Sequence, residues 1–490
     1  MSSPAKTIGT DKSRLADALS QRWPEAVLAL CVWGSFLYFC LPALKVRFAA
    51  DEMMNMYRHW EPGIWKLALA NLTFSNDVIR PMGALYYMPL FKIFGFDPMP
   101  FNVVRLAVLA VNIYIFFWLA ARITGSRMTA ALAAVVVAYH ASLSNIAYVG
   151  SFIYDVLCGG FYFSALLYYM RCRDLYGRLN LTRSFVFLGL YLCALNSKEM
   201  AVSLPVVLIA YELLFHFPGT WKAAGAPKRI LADATPAFAA VALTIAFMAV
   251  KLLGPHSLAN DEGFQSSYTS ARFFESNSRF LNQIFYAEWF TAGGVILTWA
   301  ALLYAAVRNW DQRLLLLWVW VVATPLPIAF LPGRGNGCLY IVAAGWAMVA
   351  AILVEALARR IAREPIFAKV PPRVVVTCLI LLALAVYWRQ TNWIHGFVSR
   401  AYLADNVKTE SLIRQIQTLT VRPAHGGRIV FLNDPFPAGF DDTFYVANLW
   451  WNDHTLKIQL QNKAHLSEQQ LSTMDYVFDF PGGKVTQLRP

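Results

Sequence analysis

Two adjacent carboxylates, Asp51 and Glu52 in RFAADEMMNMYRHW, follow the first long apolar run of the chain. A carboxylate held where a chain leaves the bilayer is placed to act as general base toward an acceptor hydroxyl or amine. Asp155, in YVGSFIYDVLCGG, stands about one turn inside another apolar run, where an idle charge is costly. Lys198 and Glu199 form an adjacent pair of opposite charge, Arg80 precedes a proline, and Arg334 lies in PGRGNG between two apolar runs. Cations of this kind, or a divalent ion (Mg or Mn) held by the carboxylates, offset the charge on a departing phosphate. Together they suit transfer of a group from a lipid phosphate donor. Intramembrane carboxylates and lysines also serve ion-coupled transport, so a polytopic secondary transporter or lipid-linked sugar flippase is the competing reading. A third is a non-catalytic assembly partner. His59 and His140 read as structural histidines.

These residues are scattered, and only a particular fold brings them together. Hydrophobic residues fill 58% of the 490 positions and charged residues 14%, the composition of a polytopic membrane protein. Spans of sufficient length are read near 24–44, 99–121, 128–147, 151–170, 182–196, 201–217, 231–252, 287–306, 313–331, 337–357 and 374–389. The first run is too long for a signal-peptide core and lacks a small-residue cleavage site. The net charge of +13 forms no nucleic-acid patch. The basic residues instead sit in short connectors: Arg122 and Arg127; Arg171, Arg173, Arg178 and Arg183; Lys222, Lys228 and Arg229; Arg308 and Arg313; Arg359, Arg360, Arg363, Lys369 and Arg373. With Lys6, Lys12, Arg14 and Arg22 they fall on one side of an eleven-span arrangement, the cytoplasmic side by the positive-inside rule. All the candidate site residues then fall on the opposite face. The seven cysteines lack metal-ligand spacing and read as small packing residues.

PMGALYYMPLFKIFG, Pro81 to Gly95, is too short to span, and counting it would invert every later loop; it reads as a juxtamembrane helix. The apolar MMNMY after Asp51-Glu52 reads as an amphipathic turn lying on the bilayer. After Trp388 the composition changes. GGRIVFLNDPF predicts a strand at Arg428–Leu432, TFYVANLWW a helix and TLKIQLQ a further strand. The expected partition is a cytoplasmic tail at 1–23, an all-α membrane domain at 24–389 with outer loop and juxtamembrane helices at 45–98, and a small extracytoplasmic α/β domain at 390–490.

The order of motifs resembles the membrane-embedded GT-C glycosyltransferases, which include the protein O-mannosyltransferases and the lipid A aminoarabinose transferases. The resemblance covers roughly 25–355 and rests on ADEMM, IRPMGALYYMPLFKIFG, FNVVRLAVLAVNIYIFFWLAARITGS, LNSKEMAVSLPVVLIAYELL and PLPIAFLPGRGNGCLYIVAAGW. It implies an inverting transferase that moves a sugar from a polyprenyl-phosphate donor to an extracytoplasmic glycan, lipid or protein acceptor, in a bacterial inner or plasma membrane. By the same resemblance, Asp51 is the general base or a metal ligand, and Glu52, Asp155 and Glu199 support it or help bind a divalent metal. Lys198, Arg334 and Arg80 contact the donor phosphate. FIYD departs from the Arg-Pro-Asp or Arg-x-Asp forms of relatives, which weakens the match at Asp155.

Overall fold

The computed structural model describes residues 9–74, 78–217, 233–253, 265–437 and 439–489, with side chains from residue 25 onward. Among the described residues, eight helices are long and apolar enough to cross a hydrocarbon core: Glu25–Lys45, Pro98–Thr124, Gly150–Tyr176, Glu199–His216, Thr235–Leu252, Gln312–Ala329, Asn336–Ile361 and one starting at Pro372. Three shorter apolar helices, Arg127–Ala138, Leu181–Ser197 and Ala292–Arg308, complete a one-to-one match with the expected spans. Lys6, Lys222, Lys228 and Arg229 lie outside the described residues, as do the side chains of Lys12, Arg14 and Arg22.

Local chemistry sets the ends of these helices. In Pro98–Thr124 the Asp97 side chain accepts the Met99 N–H, a proline occupies the first turn, and Gly125 closes the helix at φ 70°. Its buried face carries Asn102, Arg105 and Asn112 at helical spacing, while Val103, Val111 and Tyr114 face outward. Polar residues inside and apolar residues outside is the pattern expected of a helix solvated by lipid. Small residues let the helices approach closely. A Cβ at Gly160 would lie 2.3 Å from the Asn112 amide oxygen, and one at Gly159 would lie 2.6 Å from the Tyr340 ring.

The third span departs from expectation. Its helix ends at Ala138, Tyr139 and His140 are extended, and a short 3-10 turn and helix follow to Tyr148. His140 holds the break by bonding Ile284 O at 2.9 Å and stacking on Tyr286.

Three short helices follow the first span: Ala50–Trp60, Gly63–Thr73 and Ala84–Phe94. The last is the expected juxtamembrane helix, ended by Gly95 at φ 57°. Gly63–Thr73 exposes Ile64, Trp65, Leu69 and Leu72, a face suited to the bilayer interface. MMNMY behaves otherwise. Met53 and Met56 are 0% exposed and Met54 is half-buried, so this turn packs two of its three methionines fully into the protein.

The helix beginning at Pro372 runs unbroken to Ala404, so the boundary expected at 390 falls inside it. The C-terminal region then contains the helix Val407–Gln417 and a four-stranded sheet of order β2-β1-β3-β4, with β1 Arg428–Leu432, β2 Lys457–Leu460, β3 Tyr476–Asp479 and β4 Thr486–Arg489. β1 pairs in parallel with β2 and β3, and β4 runs antiparallel to β3. Ile429, Val430 and Phe431 are fully buried, as a central parallel strand requires. The helix Asp442–Trp451 crosses between β1 and β2.

Candidate active site

Asp51 and Glu52 occupy the first turn of Ala50–Trp60, where the helix dipole favours carboxylates. Their side chains part company. Asp51 is exposed, whereas Glu52 is 3% exposed. Glu52 Oε2 accepts the Ala49 N–H at 2.9 Å, and Oε1 lies so close to Gly150 that a Cβ there would sit 1.6 Å away. Burial raises the Glu52 carboxyl to about 7, against the lowering effects of the Arg105 charge and the Ala49 and Gly150 backbone. Glu52 is thus a strut between two segments, and Asp51 is the carboxylate of the pair open to solvent.

One helical turn pair later, His59 Nε2 lies 2.9 Å from the Tyr154 hydroxyl. Burial, with Arg58 nearby, lowers this histidine to about 4 and keeps it neutral. The Arg80 guanidinium lies over the Tyr154 ring at 5.5 Å. Gly83 makes the crossing possible, since a Cβ would strike the Tyr154 ring at 2.3 Å and His59 at 2.8 Å. Arg80 itself adopts φ 52°, a left-handed conformation that costs a non-glycine residue about 1–2 kcal/mol. Its fork on Glu199 helps fix it, with Nη2 to Oε2 at 2.8 Å and Nε to Oε1 at 3.3 Å.

Lys198 lies between Leu181–Ser197 and Glu199–His216 in an extended conformation. Its Nζ reaches both oxygens of Asp155, at 2.7 and 2.6 Å. It also lies 3.4 Å from Cys338 Sγ and 5.5 Å from the Phe152 ring centre. Cys338 belongs to the segment that carries Arg334, which is half-buried four residues earlier. Asp51 and Arg80 both lie within electrostatic reach of the Tyr154 hydroxyl. The structure therefore joins Arg80 to Glu199 and Lys198 to Asp155 directly, Asp51 and Arg80 share Tyr154 as an electrostatic neighbour, and Cys338, on the segment that carries Arg334, reaches Lys198.

No protein-family model and no curated protein matches this sequence. Two solved structures cover nearly all of it. One is ArnT from Cupriavidus metallidurans bound to undecaprenyl phosphate, at 13% identity, 93% of each chain and TM-score 0.50. The other is the same protein in the apo state, at 14% identity, 91% of this chain, 86% of that chain and TM-score 0.51. The fold is the GT-C fold of ArnT. The resemblance drawn from the ordered motifs therefore holds at the level of fold.

Within this ArnT-like fold several residues join the site that their sequence context did not single out. Tyr154 is the hub between His59 and Arg80, and its sole signal was adjacency to Asp155. Lys251, 8% exposed in the last turn of Thr235–Leu252, lies within electrostatic reach of Glu199 and Arg80; its only signal was a lysine ending an apolar run. Three cations thus face two carboxylates here. Asp442 of the C-terminal region lies within reach of Asp51. Burial raises it to about 6, opposed by a hydrogen bond from Thr409 and reinforced by Asp434 and Asp51.

Among the described residues no three of His, Cys, Asp and Glu come together as a metal site. Asp155 and Glu199 direct their oxygens at Lys198 and Arg80, so this donor set does not fit a resident divalent ion.

Proposed function

We propose that this chain is an inverting membrane glycosyltransferase that moves a sugar from a polyprenyl-phosphate donor to an acceptor outside the cytoplasm. The observation that carries the reading is the exposed Asp51 carboxylate within electrostatic reach of Tyr154, the residue on which Arg80 of the Arg80–Glu199 pair lies and which adjoins Asp155 of the Lys198–Asp155 pair. The ArnT structure crystallised with undecaprenyl phosphate supports a donor of this class.

In this mechanism Asp51 accepts the proton of an acceptor hydroxyl or amine as its lone pair forms the new bond to the sugar C1. The C1–O bond to phosphate breaks on the opposite face, and its electron pair leaves with the polyprenyl phosphate. Charge growing on that oxygen is met by Arg80, Lys198 and Lys251, with Arg334 from the adjoining loop. Glu52 fixes the helix that presents Asp51. No step passes through a metal ion.

Asp51→Asn tests the reading, because it removes the base at an exposed position. Purified protein in nanodiscs, given polyprenyl-phosphate sugars and candidate acceptors, is expected to lose transfer about 10²–10⁴-fold with unchanged thermal unfolding. A fully active Asp51→Asn protein overturns it. Liposome flipping of the lipid-linked sugar with no transfer product would favour a flippase instead.

A further inference from the structure

Arg105 is 0% exposed, about two turns inside Pro98–Thr124 on the helix's inward face. Its Nη2 donates to Asn102 Oδ1 at 2.7 Å and to Ala147 O at 2.8 Å. Asn102 Nδ2 in turn donates to Val46 O at 2.9 Å and Leu44 O at 3.4 Å. Val46 lies four residues before the helix that bears Asp51 and Glu52, and Ala147 lies three before Gly150, which seats Glu52 Oε1. One guanidinium therefore ties together the two segments that Glu52 bridges at their far ends. The result is a closed loop of contacts: Arg105, Asn102, Val46, then Glu52, Gly150 and Ala147.

The two remaining nitrogens, Nε and Nη1, are buried without a hydrogen-bond partner. A buried cation so placed costs several kcal/mol unless a counter-charge lies near. Its charge reaches Glu52. Glu52 also faces Asp51 on its own helix, the Ala49 and Gly150 backbone, and Tyr86 and Tyr87 of Ala84–Phe94.

We propose that Arg105 is a positioning residue, which sets the distance between Asp51 and the Tyr154–Asp155 segment by tying both segments and by setting its charge against the Glu52 carboxyl that bridges them. The inference rests on the glycosyl-transfer reading for its kinetic consequence. It touches neither substrate nor reacting atoms, and it acts from inside a span on a base outside it.

The test compares Arg105→Met, Arg105→Lys and Asn102→Ala in full-length protein in nanodiscs. Arg105→Met is expected to lower kcat about 10–100-fold with donor KM nearly unchanged, and to move the acid limb of the pH–rate profile to higher pH. Arg105→Lys keeps the charge and is expected to return that limb toward the wild-type position. Asn102→Ala keeps Arg105 but cuts the tether to Val46, so kcat falls with the limb unmoved. A fast Arg105→Met protein with a wild-type profile overturns the proposal; should that variant fail to fold, an Asn102→Ala protein with wild-type kcat does the same. Hydrogen exchange supplies a readout without activity: segments 44–52 and 145–152 should both exchange faster in Asn102→Ala and Arg105→Lys. Unchanged exchange in both overturns Arg105's role whatever the wild type catalyses, whereas a wild type that transfers nothing overturns only the parent reading.

Discussion

Arg80 and Glu199, 119 residues apart, form a two-point ion pair in which each guanidinium nitrogen used meets a different carboxylate oxygen, at 2.8 and 3.3 Å. A planar fork of this kind fits a phosphate as well as it fits a carboxylate. Glu199 therefore holds the Arg80 fork in one geometry, which under the proposed function would face the donor phosphate. Arg80→Lys keeps the charge and loses the fork. Donor titration is expected to show KM raised about tenfold with a smaller change in kcat, and an unchanged donor KM would remove Arg80 from the phosphate site.

Lys198 and Asp155 are a buried pair, with side-chain exposures of 10% and 4%. Removing one partner strands a buried charge, whereas removing both does not. Lys198→Met should destabilise by about 3–5 kcal/mol, and Lys198→Met with Asp155→Leu should recover much of that loss. Unfolding of the single and double variants in the same detergent measures the coupling. Additive losses would mean that the pair contributes little.

Glu52 makes stability depend on pH in a defined direction. Folding raises its carboxyl from an ordinary 4.5 to about 7. Its favourable contribution is therefore complete below about 4.5 and is lost as pH rises through about 7. Glu52→Gln does not titrate, so its stability relative to wild type should increase steadily between these values. Thermal unfolding of both proteins across that window reads the difference, and parallel curves would contradict it.

Gly150 supplies a steric version of the same test. An added Cβ would sit 1.6 Å from Glu52 Oε1, so Gly150→Ala must move either the carboxylate or the backbone. Overpacking of this kind costs about 1–3 kcal/mol. Combining Gly150→Ala with Glu52→Ala should relieve part of the strain, and a double variant no more stable than Gly150→Ala would place the clash elsewhere.

Much of this architecture is legible in the sequence because membrane solvation enforces simple rules. Apolar length alone marked the spans. The strand at Arg428–Leu432 and the helix in TFYVANLWW appeared from periodicity and turn residues. Less legible were properties set by contacts between distant segments. Arg173 reads as a loop charge, yet it is 4% exposed and forms a two-point pair with Glu212, joined by the Tyr169 hydroxyl. The Asp51-Glu52 pair reads as one acidic motif, yet a single residue's rotation about a helix sends one carboxylate outward and the other against Gly150. Tyr154, Lys251 and Arg105 are not singled out as site residues by their types or spacing; only tertiary packing brings them to the site.

The C-terminal region grips the helix that presents Asp51, which predicts that its docking controls activity. Trp60 stacks on His454 with ring centres 3.7 Å apart and an interplanar angle of 10°, and its Nε1 donates to Asn452 Oδ1 at 2.7 Å. Tyr57 packs against Phe444 and Tyr445, while Arg47, just before the helix, pairs with Glu410 and donates to Leu403 O. Aromatic pairs contribute about 0.5–1.5 kcal/mol beyond burial, too little for one substitution to unfold the membrane domain but enough to loosen the contact. Trp60→Ala should therefore leave bulk unfolding nearly unchanged, increase proteolysis near 405–425, and lower transfer. Trp60→Phe, which keeps an aromatic face and loses the hydrogen bond, should fall between. If Trp60→Ala admits protease yet transfers at the wild-type rate, the C-terminal region is a passenger on this helix; if transfer falls in step with cleavage, the helix bearing Asp51 is held in place from above.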